Sequence, residues 1–190
     1  MKPRLNIVIV STRPNRVGPA VAHWAVEAAQ HHGGFEPVLV DLASFGLPVF
    51  DETEHPRLRK YQHAHTKAWS ASVDSADAFV FVLPEYNHAP PAAFVNALNF
   101  VLQEWHYKPA AFVSYGGVSA GMRSVAMAKE MLNAMKVVPM LENVAVQHVA
   151  HQLAAERRFN PTEAQIQGAR VMYDELLRWT GALRTLRKPA

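Results

Sequence analysis

The chain has 190 residues and no cysteine. Disulfide scaffolds, thiolate zinc sites, cysteine nucleophiles and dithiol redox chemistry are therefore excluded, and any redox activity would need a bound cofactor. Long hydrophobic runs are missing as well. The longest dense apolar run covers only residues 78–83, and the run at 5–10 is too short for a secretory signal. We therefore expect a cytoplasmic protein that does not enter a membrane.

The chain also has no large excess of positive or negative charge. The formal net charge is +3, and charged residues make up 18% of the chain. The basic groups at 57–60 and 184–188 are small and typical of solvated surface, so no nucleic-acid partner is expected. Hydrophobic residues make up 49%, which excludes a disordered chain. The length is typical of one domain, and we predict a single domain over residues 1–190.

Predicted strands and helices alternate along the whole chain. The predicted strands cover 5–10, 35–42, 78–83, 109–115 and part of 137–147, and the predicted helices cover 20–32, 57–75, 92–105, 119–136 and 160–183. This alternation predicts an α/β fold in which helices cover both faces of a parallel sheet. Ligands of such sheets bind beyond the carboxyl ends of the strands, which makes the loops 11–19, 84–91 and 114–121 the candidate site.

The first loop has the composition of a phosphate site. It contains two hydroxyls and two arginines but no carboxylate, and it leads into a helix N-terminus. It lacks both the Gly-Lys-Ser/Thr of a Walker A loop and the three glycines of the dinucleotide fingerprint. A polar turn with surface arginines would explain the composition equally well. The two hydroxyls are those of Ser11 and Thr12, and the two arginines are Arg13 and Arg16.

The second loop follows the most apolar strand. It reads Pro84-Glu85-Tyr86-Asn87 and continues to Pro91. An aromatic ring, an amide and a constrained backbone would suit a flat heteroaromatic ligand. On composition alone, a proline-rich turn capped by asparagine is the favoured interpretation.

The third loop permits two interpretations. Its Ser114-Tyr115-Gly116-Gly117 segment would let the backbone approach a ligand closely. Residues 117–121 also match G-x-S-x-G, the nucleophile elbow of α/β-hydrolases, with Ser119 as nucleophile. An acid and a histidine follow in the required order, but no His-Gly-Gly oxyanion motif precedes the loop.

The histidines do not predict a metal site. His63 and His65 are two apart in a predicted helix, which would point them in different directions. His148 and His151 could share a helical face, but no third ligand lies nearby in the sequence. We expect no metal ligands.

Together the three loops resemble those of the NADPH-dependent FMN reductase family, the flavodoxin-like quinone, chromate and azo reductases. The similarity extends from Leu5 to about Val146, and its specific part is the Pro-Glu-Tyr-Asn loop. The matching pieces are 11–18, then 84–87 with Pro91 and Asn96-Ala97, then 115–117 with Gly121. Ser119-Ala120-Gly121 departs from the Gly-Gly pair that is usual in the family. Val17-Gly18 replaces the usual Ser or Asn, so phosphate binding would depend more on Arg13, Arg16 and backbone N–H groups.

The resemblance implies a flavodoxin-like three-layer sandwich with a five-stranded parallel sheet of order 2-1-3-4-5. It implies FMN as cofactor, NADPH or NADH as hydride donor, and a small electron acceptor such as a quinone, chromate, an azo compound or free flavin. No side chain would act as catalytic acid, base or nucleophile. Backbone N–H groups near N1 and O2 would stabilise the reduced flavin, and some of them would come from residues 85–87. The implied FMN contacts are Ser11, Arg13, Arg16, Val17, Gly18, Pro84, Glu85, Tyr86, Asn87, Ser114, Tyr115, Gly116 and Gly117.

Two other functions stay open at this point. A flavodoxin-like electron carrier would bind FMN without NAD(P)H turnover of its own, although such carriers tend to be strongly acidic and this chain has a charge of +3. A serine hydrolase would use Ser119, with Glu130 or Glu142 as acid and His148 or His151 as base.

The predicted helix 92–105 indicates self-association. Its apolar stripe consists of Phe94, Leu98, Val101, Leu102 and Trp105, and Glu104 is the only charged residue between Ala92 and Tyr107. The opposite face carries Asn96, Asn99, Gln103 and Phe100, and an exposed Phe100 would give the helix a second apolar face. We therefore predict a homodimer, or a tetramer, through this helix.

Overall fold

A computed structural model describes residues 1–187. Lys188 of the second basic group and the end of the predicted domain, residues 188–190, lie outside the described residues. The strands are β1 (Arg4–Ile9), β2 (Glu36–Asp41), β3 (Ala78–Pro84), β4 (Pro109–Tyr115), β5 (Val138–Pro139) and β6 (Val144–Val146). The helices are α1 (Gly18–His32), α2 (Ala64–Asp74), α3 (Ala92–Phe100), α4 (Met122–Ala134) and α5 (Glu163–Arg187).

The strands form one parallel sheet in the order β2-β1-β3-β4-β5, with β6 also paired to β4. The predicted order 2-1-3-4-5 is therefore confirmed. The fifth position differs in that two short strands share it. Between them, the Asn143 side-chain oxygen accepts the Phe112 N–H at 2.9 Å. A side-chain amide oxygen therefore replaces the backbone carbonyl that a continuous strand would offer.

Helices cover both faces of the sheet, as predicted. The core on one face includes side chains of α1 and α5, and the core on the other includes those of α2, α3 and α4. Every residue of β3 and β4 is buried, which explains their continuous apolar sequence. Within residues 1–187, no helix is long and apolar enough to cross a membrane.

Three helices are shorter than predicted, and the backbone shows why. The helix predicted at 57–75 begins at Ala64, because Arg59 is left-handed (φ 53°) and His63 is extended. The helix predicted at 92–105 ends at Phe100, where the extended Val101 stops it, and residues 103–105 form a separate 3-10 turn. The helix predicted from Ser119 begins after Gly121 at Met122.

The predicted exposure of Phe100 is wrong. Its side chain is fully buried within its own chain, where the rings of Phe50 and His65 contact it edge-on at centroid distances of 5.1 and 5.7 Å. The loop after β2 covers this face of α3, and Asn96 holds it there. The Asn96 side chain accepts the Phe50 N–H at 3.0 Å and donates to the Pro48 carbonyl at 2.6 Å. This argument for the dimer therefore fails, and the dimer itself remains a prediction.

Candidate functional site

The three predicted loops meet at the carboxyl edge of the sheet. Strands β1, β3 and β4 are neighbours and run in the same direction, so the loops that follow them lie side by side. The Tyr115 hydroxyl donates to Ser11 Oγ at 3.2 Å, which links the third loop to the first. The Glu85 N–H donates to the Tyr115 carbonyl at 3.3 Å, which links the second loop to the third.

The first loop offers an array of free backbone donors. Within residues 1–187, none of the N–H groups of Thr12, Arg13, Asn15, Arg16, Val17 or Gly18 has a hydrogen-bond partner in the protein. Asn15 is left-handed (φ 55°), and a left-handed residue in a turn can bring neighbouring N–H groups to one side. The N-cap of α1, Val17, has no side chain able to cap the first turn. The loop therefore has the donors that an anion such as phosphate needs.

Gly18 lies at the base of this loop in close contact with two hydroxyls. A Cβ atom there would stand 2.7 Å from Ser11 Oγ and 3.0 Å from the Tyr115 hydroxyl oxygen, so only glycine fits without displacement. Burial raises the pKa of Tyr115 to about 12, so its phenol stays protonated and remains a donor at neutral pH. Ser11 is also fully buried, which makes this pair part of the floor of the site.

The two arginines of the loop have different surroundings. Arg16 forms an ion pair with Asp41 at the end of β2. The Asp41 side chain also accepts the Ala43 N–H, so it caps the turn that follows β2. Arg13 is exposed and lies over the Tyr86 ring, 5.8 Å from its centroid. Arg13 is thus the arginine more readily available to a ligand, and it lies between the first and second loops.

The second loop closes in a tight turn. Tyr86 and Ala89 exchange backbone hydrogen bonds of 3.0 Å, and the two residues between them, Asn87 and His88, are both left-handed. Residues 85–87, the expected source of N–H donors to a flavin, have three such groups. Those of Glu85 and Tyr86 are already paired within the chain. The Asn87 N–H has no partner among the described residues. It is therefore the one N–H group of this segment that is available to a ligand.

The third loop turns sharply over Ser114. The buried Ser114 hydroxyl donates to the Ala120 carbonyl at 2.9 Å, so it stabilises the loop from inside. Gly121 is left-handed (φ 83°), and a Cβ there would lie 2.9 Å from the Tyr115 backbone nitrogen. Gly117, by contrast, is exposed with no atom near a Cβ position. The open part of this loop is therefore Gly117, beside the half-buried Gly116.

Glu85 links the second loop to the start of α4. Its nearly buried carboxylate accepts the Arg123 backbone N–H at 3.2 Å and an Arg123 guanidinium N–H at 3.0 Å. Burial alone raises the pKa of Glu85. Hydrogen bonds from the Ser119 side chain and from Arg123, together with the Arg123 charge, more than offset this and hold its pKa below the ordinary value.

The surroundings of Ser119 do not favour a serine hydrolase. Ser119 lies four residues beyond the end of β4, within a turn, and its side chain faces the Glu85 carboxylate. In the part of the chain that the structure describes, no hydrogen bond joins it to His148 or His151. A nucleophilic serine needs a base in that position.

The first histidine pair differs from expectation. His63 lies just before α2, and its ring stacks on that of His65 at 5.1 Å, so the two do not point in different directions. Both face Asp51, and His65 Nε2 lies 3.0 Å from its carboxylate. His148 and His151 also stack, at 5.7 Å. Residues 1–187 contain no group of three or more potential ligands placed to hold a metal ion.

Several residues of the site were missed by the sequence reasoning. Arg123 anchors Glu85, Asp41 pairs with Arg16, and Arg157 donates to backbone carbonyls of the first loop. Each lies 25 or more residues from its partner in the chain, and no local pattern marks such pairs. Asp41 alone had a signal, as an acidic residue at the end of a strand that neighbours β1.

The chain is similar to several known proteins. The family model described as NADPH-dependent FMN reductase matches residues 3–151. The chain is 38% identical over 121 residues to an NAD(P)H-dependent FMN reductase of Schizosaccharomyces pombe, a match covering 63% of this chain and 60% of that protein. It is 26% identical over 137 residues to a 2-hydroxy-1,4-benzoquinone reductase of a Burkholderia species, covering 68% and 67%.

A solved structure has the same fold. The flavoenzyme NAD(P)H:(acceptor) oxidoreductase FerB of Paracoccus denitrificans superposes with a TM-score of 0.75, covering 95% of this chain and 98% of that one. The two sequences are 18% identical, so this likeness concerns the fold alone.

Proposed function

Because this chain belongs to the NADPH-dependent FMN reductase family, we propose that it is an FMN-dependent NAD(P)H oxidoreductase whose cofactor lies across the three loops. The observation that carries this proposal is the row of unpaired N–H groups in residues 12–18, above the buried Ser11–Tyr115 pair. These donors, a helix N-terminus and a nearby arginine suit the phosphate of FMN in number and in charge.

The first loop binds the phosphate. Its backbone N–H groups at Arg16, Val17 and Gly18 would donate to the phosphate oxygens, and Ser11 would offer its hydroxyl hydrogen because its oxygen already accepts from Tyr115. Arg13 adds a charge-assisted contact. The pairing of Arg16 with Asp41 makes that side chain a support for the loop more than a phosphate ligand.

The second and third loops hold the flavin ring. The ring would be held between residues 84–87 and 115–117, and Gly117 leaves room for a flat ligand. The free Asn87 N–H would be the donor that stabilises negative charge on the reduced ring. The Glu85–Arg123 pair keeps the second loop against α4.

When bound, FMN supplies the redox chemistry, taking a hydride from NAD(P)H and passing electrons to an acceptor. The chain's own residues bind and orient the cofactor and leave one face of its ring accessible. Tyr115 stays protonated and Glu85 stays ionised at neutral pH, so neither of these side chains exchanges a proton there.

A quinone is the proposed acceptor. The support is the similarity to a protein named 2-hydroxy-1,4-benzoquinone reductase. A flat quinone also has the shape that an open flavin face accepts.

A homodimer through α3 is also proposed. The helix carries no charged residue, and α4, which packs on the same side of the sheet, exposes apolar side chains. Val118 is 76% exposed, and Met122 and Met127 on α4 are 49% and 45% exposed.

The test is anaerobic reduction of the FMN-reconstituted protein, followed by its visible spectrum. We expect a yellow protein that NADPH bleaches and that 1,4-benzoquinone reoxidises. Gly18→Ala, whose Cβ would collide with Ser11 Oγ, should not retain the flavin. A yellow protein that neither NADPH nor NADH bleaches would be an electron carrier, and a protein that cannot bind FMN would overturn the proposal. In that second case, an esterase assay of wild type and Ser119→Ala tests the hydrolase.

A further inference from the structure

The segment after β6 crosses back to the first loop in an unusual conformation. Glu156 and Arg157 are consecutive left-handed residues, with φ values of 62° and 59°. Neither is glycine, although the left-handed region is unfavourable for a residue that has a Cβ atom. In this conformation the Arg157 guanidinium donates to the Asn15 carbonyl at 2.8 Å and to the Arg16 carbonyl at 3.1 Å.

These two carbonyls lack an ordinary helical partner. The residue four positions after Asn15 is Pro19, which has no N–H to donate. The Ala20 N–H donates to the Val17 carbonyl at 3.0 Å, which leaves the Arg16 carbonyl without that donor. Arg157 therefore supplies from outside the helix the donor that its first turn cannot provide.

The orientation of a carbonyl determines the orientation of the next N–H. In a planar trans peptide the C=O and the following N–H point in opposite directions. Holding the Asn15 and Arg16 carbonyls on the Arg157 side directs the N–H groups of Arg16 and Val17 to the other side. Those are two of the unpaired donors assigned to the phosphate.

We propose that Arg157 is a positioning residue for the FMN phosphate: it orients two backbone N–H groups of the first loop without touching the cofactor. This rests on the proposed function. Arg157 lies beyond residues 3–151 matched by the family model, so the family pattern does not account for it. The observation that carries the inference is that the Arg157 guanidinium donates to two consecutive carbonyls of the loop.

The neighbouring arginine provides a matched control. Arg158 is also exposed, and within residues 1–187 its side chain makes no hydrogen bond or ion pair. Removing either residue changes the charge of the segment by one unit. A general electrostatic effect on an anion would therefore appear in both variants and fade with added salt, whereas an effect through the two carbonyls is confined to Arg157.

The experiment measures the FMN and riboflavin affinity of the apoprotein by quenching of flavin fluorescence, in wild type, Arg157→Ala, Arg157→Lys and Arg158→Ala. Riboflavin has the ring but not the phosphate. We expect Arg157→Ala to weaken FMN binding about tenfold, as for the loss of one or two modest hydrogen bonds. Its riboflavin affinity and its thermal midpoint without flavin should match those of Arg158→Ala. Arg157→Lys, which can still donate to both carbonyls, should recover part of the loss.

The outcomes separate this inference from the proposed function. If wild type does not bind FMN, the proposed function fails. If wild type binds FMN and Arg157→Ala binds it as tightly as Arg158→Ala does, only the role of Arg157 is refuted. An equal loss of FMN and riboflavin affinity, or a lowered midpoint of Arg157→Ala without flavin, would make the residue merely structural and would also overturn the inference.

Discussion

Replacing Gly121 by alanine should damage the third loop severely, while the same change at Gly117 should not. Gly121 has φ 83°, a region that costs an alanine about 1 kcal/mol. Its new Cβ would also lie 2.9 Å from the Tyr115 nitrogen and 3.0 Å from the Tyr115 oxygen, and these are backbone atoms that cannot rotate away. Relieving such overlap typically costs about 1–3 kcal/mol. We therefore expect a destabilisation of about 2–4 kcal/mol.

For a domain of this size, that loss lowers the thermal midpoint by about 5–15 °C. Scanning calorimetry of the apoprotein measures it, and FMN titration reports the consequence for the site, because Tyr115 carries the bonds to both other loops. Gly117→Ala meets no atom within 4 Å and should change stability by less than about 0.5 kcal/mol. Equal midpoints for the two variants would refute the steric reasoning.

Three further predictions concern the site and the assembly. Arg13→Ala should weaken FMN binding by about 1–3 kcal/mol, the range for a charge-assisted contact; titration against Arg57→Ala, an exposed arginine before α2, checks it, and unchanged affinity would remove Arg13 from the phosphate site. Glu85→Gln should be less stable than wild type at pH 7. Because the folded-state pKa of Glu85 is lowered, the wild-type advantage is present above the unfolded pKa and disappears as pH falls through the folded pKa. Urea unfolding between pH 7 and 3 should therefore show the two proteins converging, and a constant difference would contradict the assigned role of the charge. Sedimentation at micromolar concentration should give twice the mass of one chain, and a monomer would refute the dimer.

Local sequence patterns were sufficient for the fold class and for the loops that form the candidate site. Apolar runs such as 78–83 identified the buried strands, and the alternation with helices implied that the loops after β1, β3 and β4 share one edge. The ends of the elements were less predictable. The segment 57–63 has a helical composition, yet the left-handed Arg59 and the hydrogen bonds of the Gln62 and His63 N–H groups to buried Glu52 hold it outside the helix. Those contacts cross a loop and leave no periodic signal.

The sequence by itself determined the parallel α/β sheet, the three loops and the anion-binding composition of the first, because each follows from short-range spacing and residue type. Only the tertiary structure decided how those residues are used. It buried Phe100 beneath the loop after β2, paired Arg16 with Asp41, directed Ser119 to Glu85, and brought Arg157 to the carbonyls of Asn15 and Arg16. Each of these contacts joins residues far apart in the chain, so its existence depends on how helices and loops pack against the finished sheet.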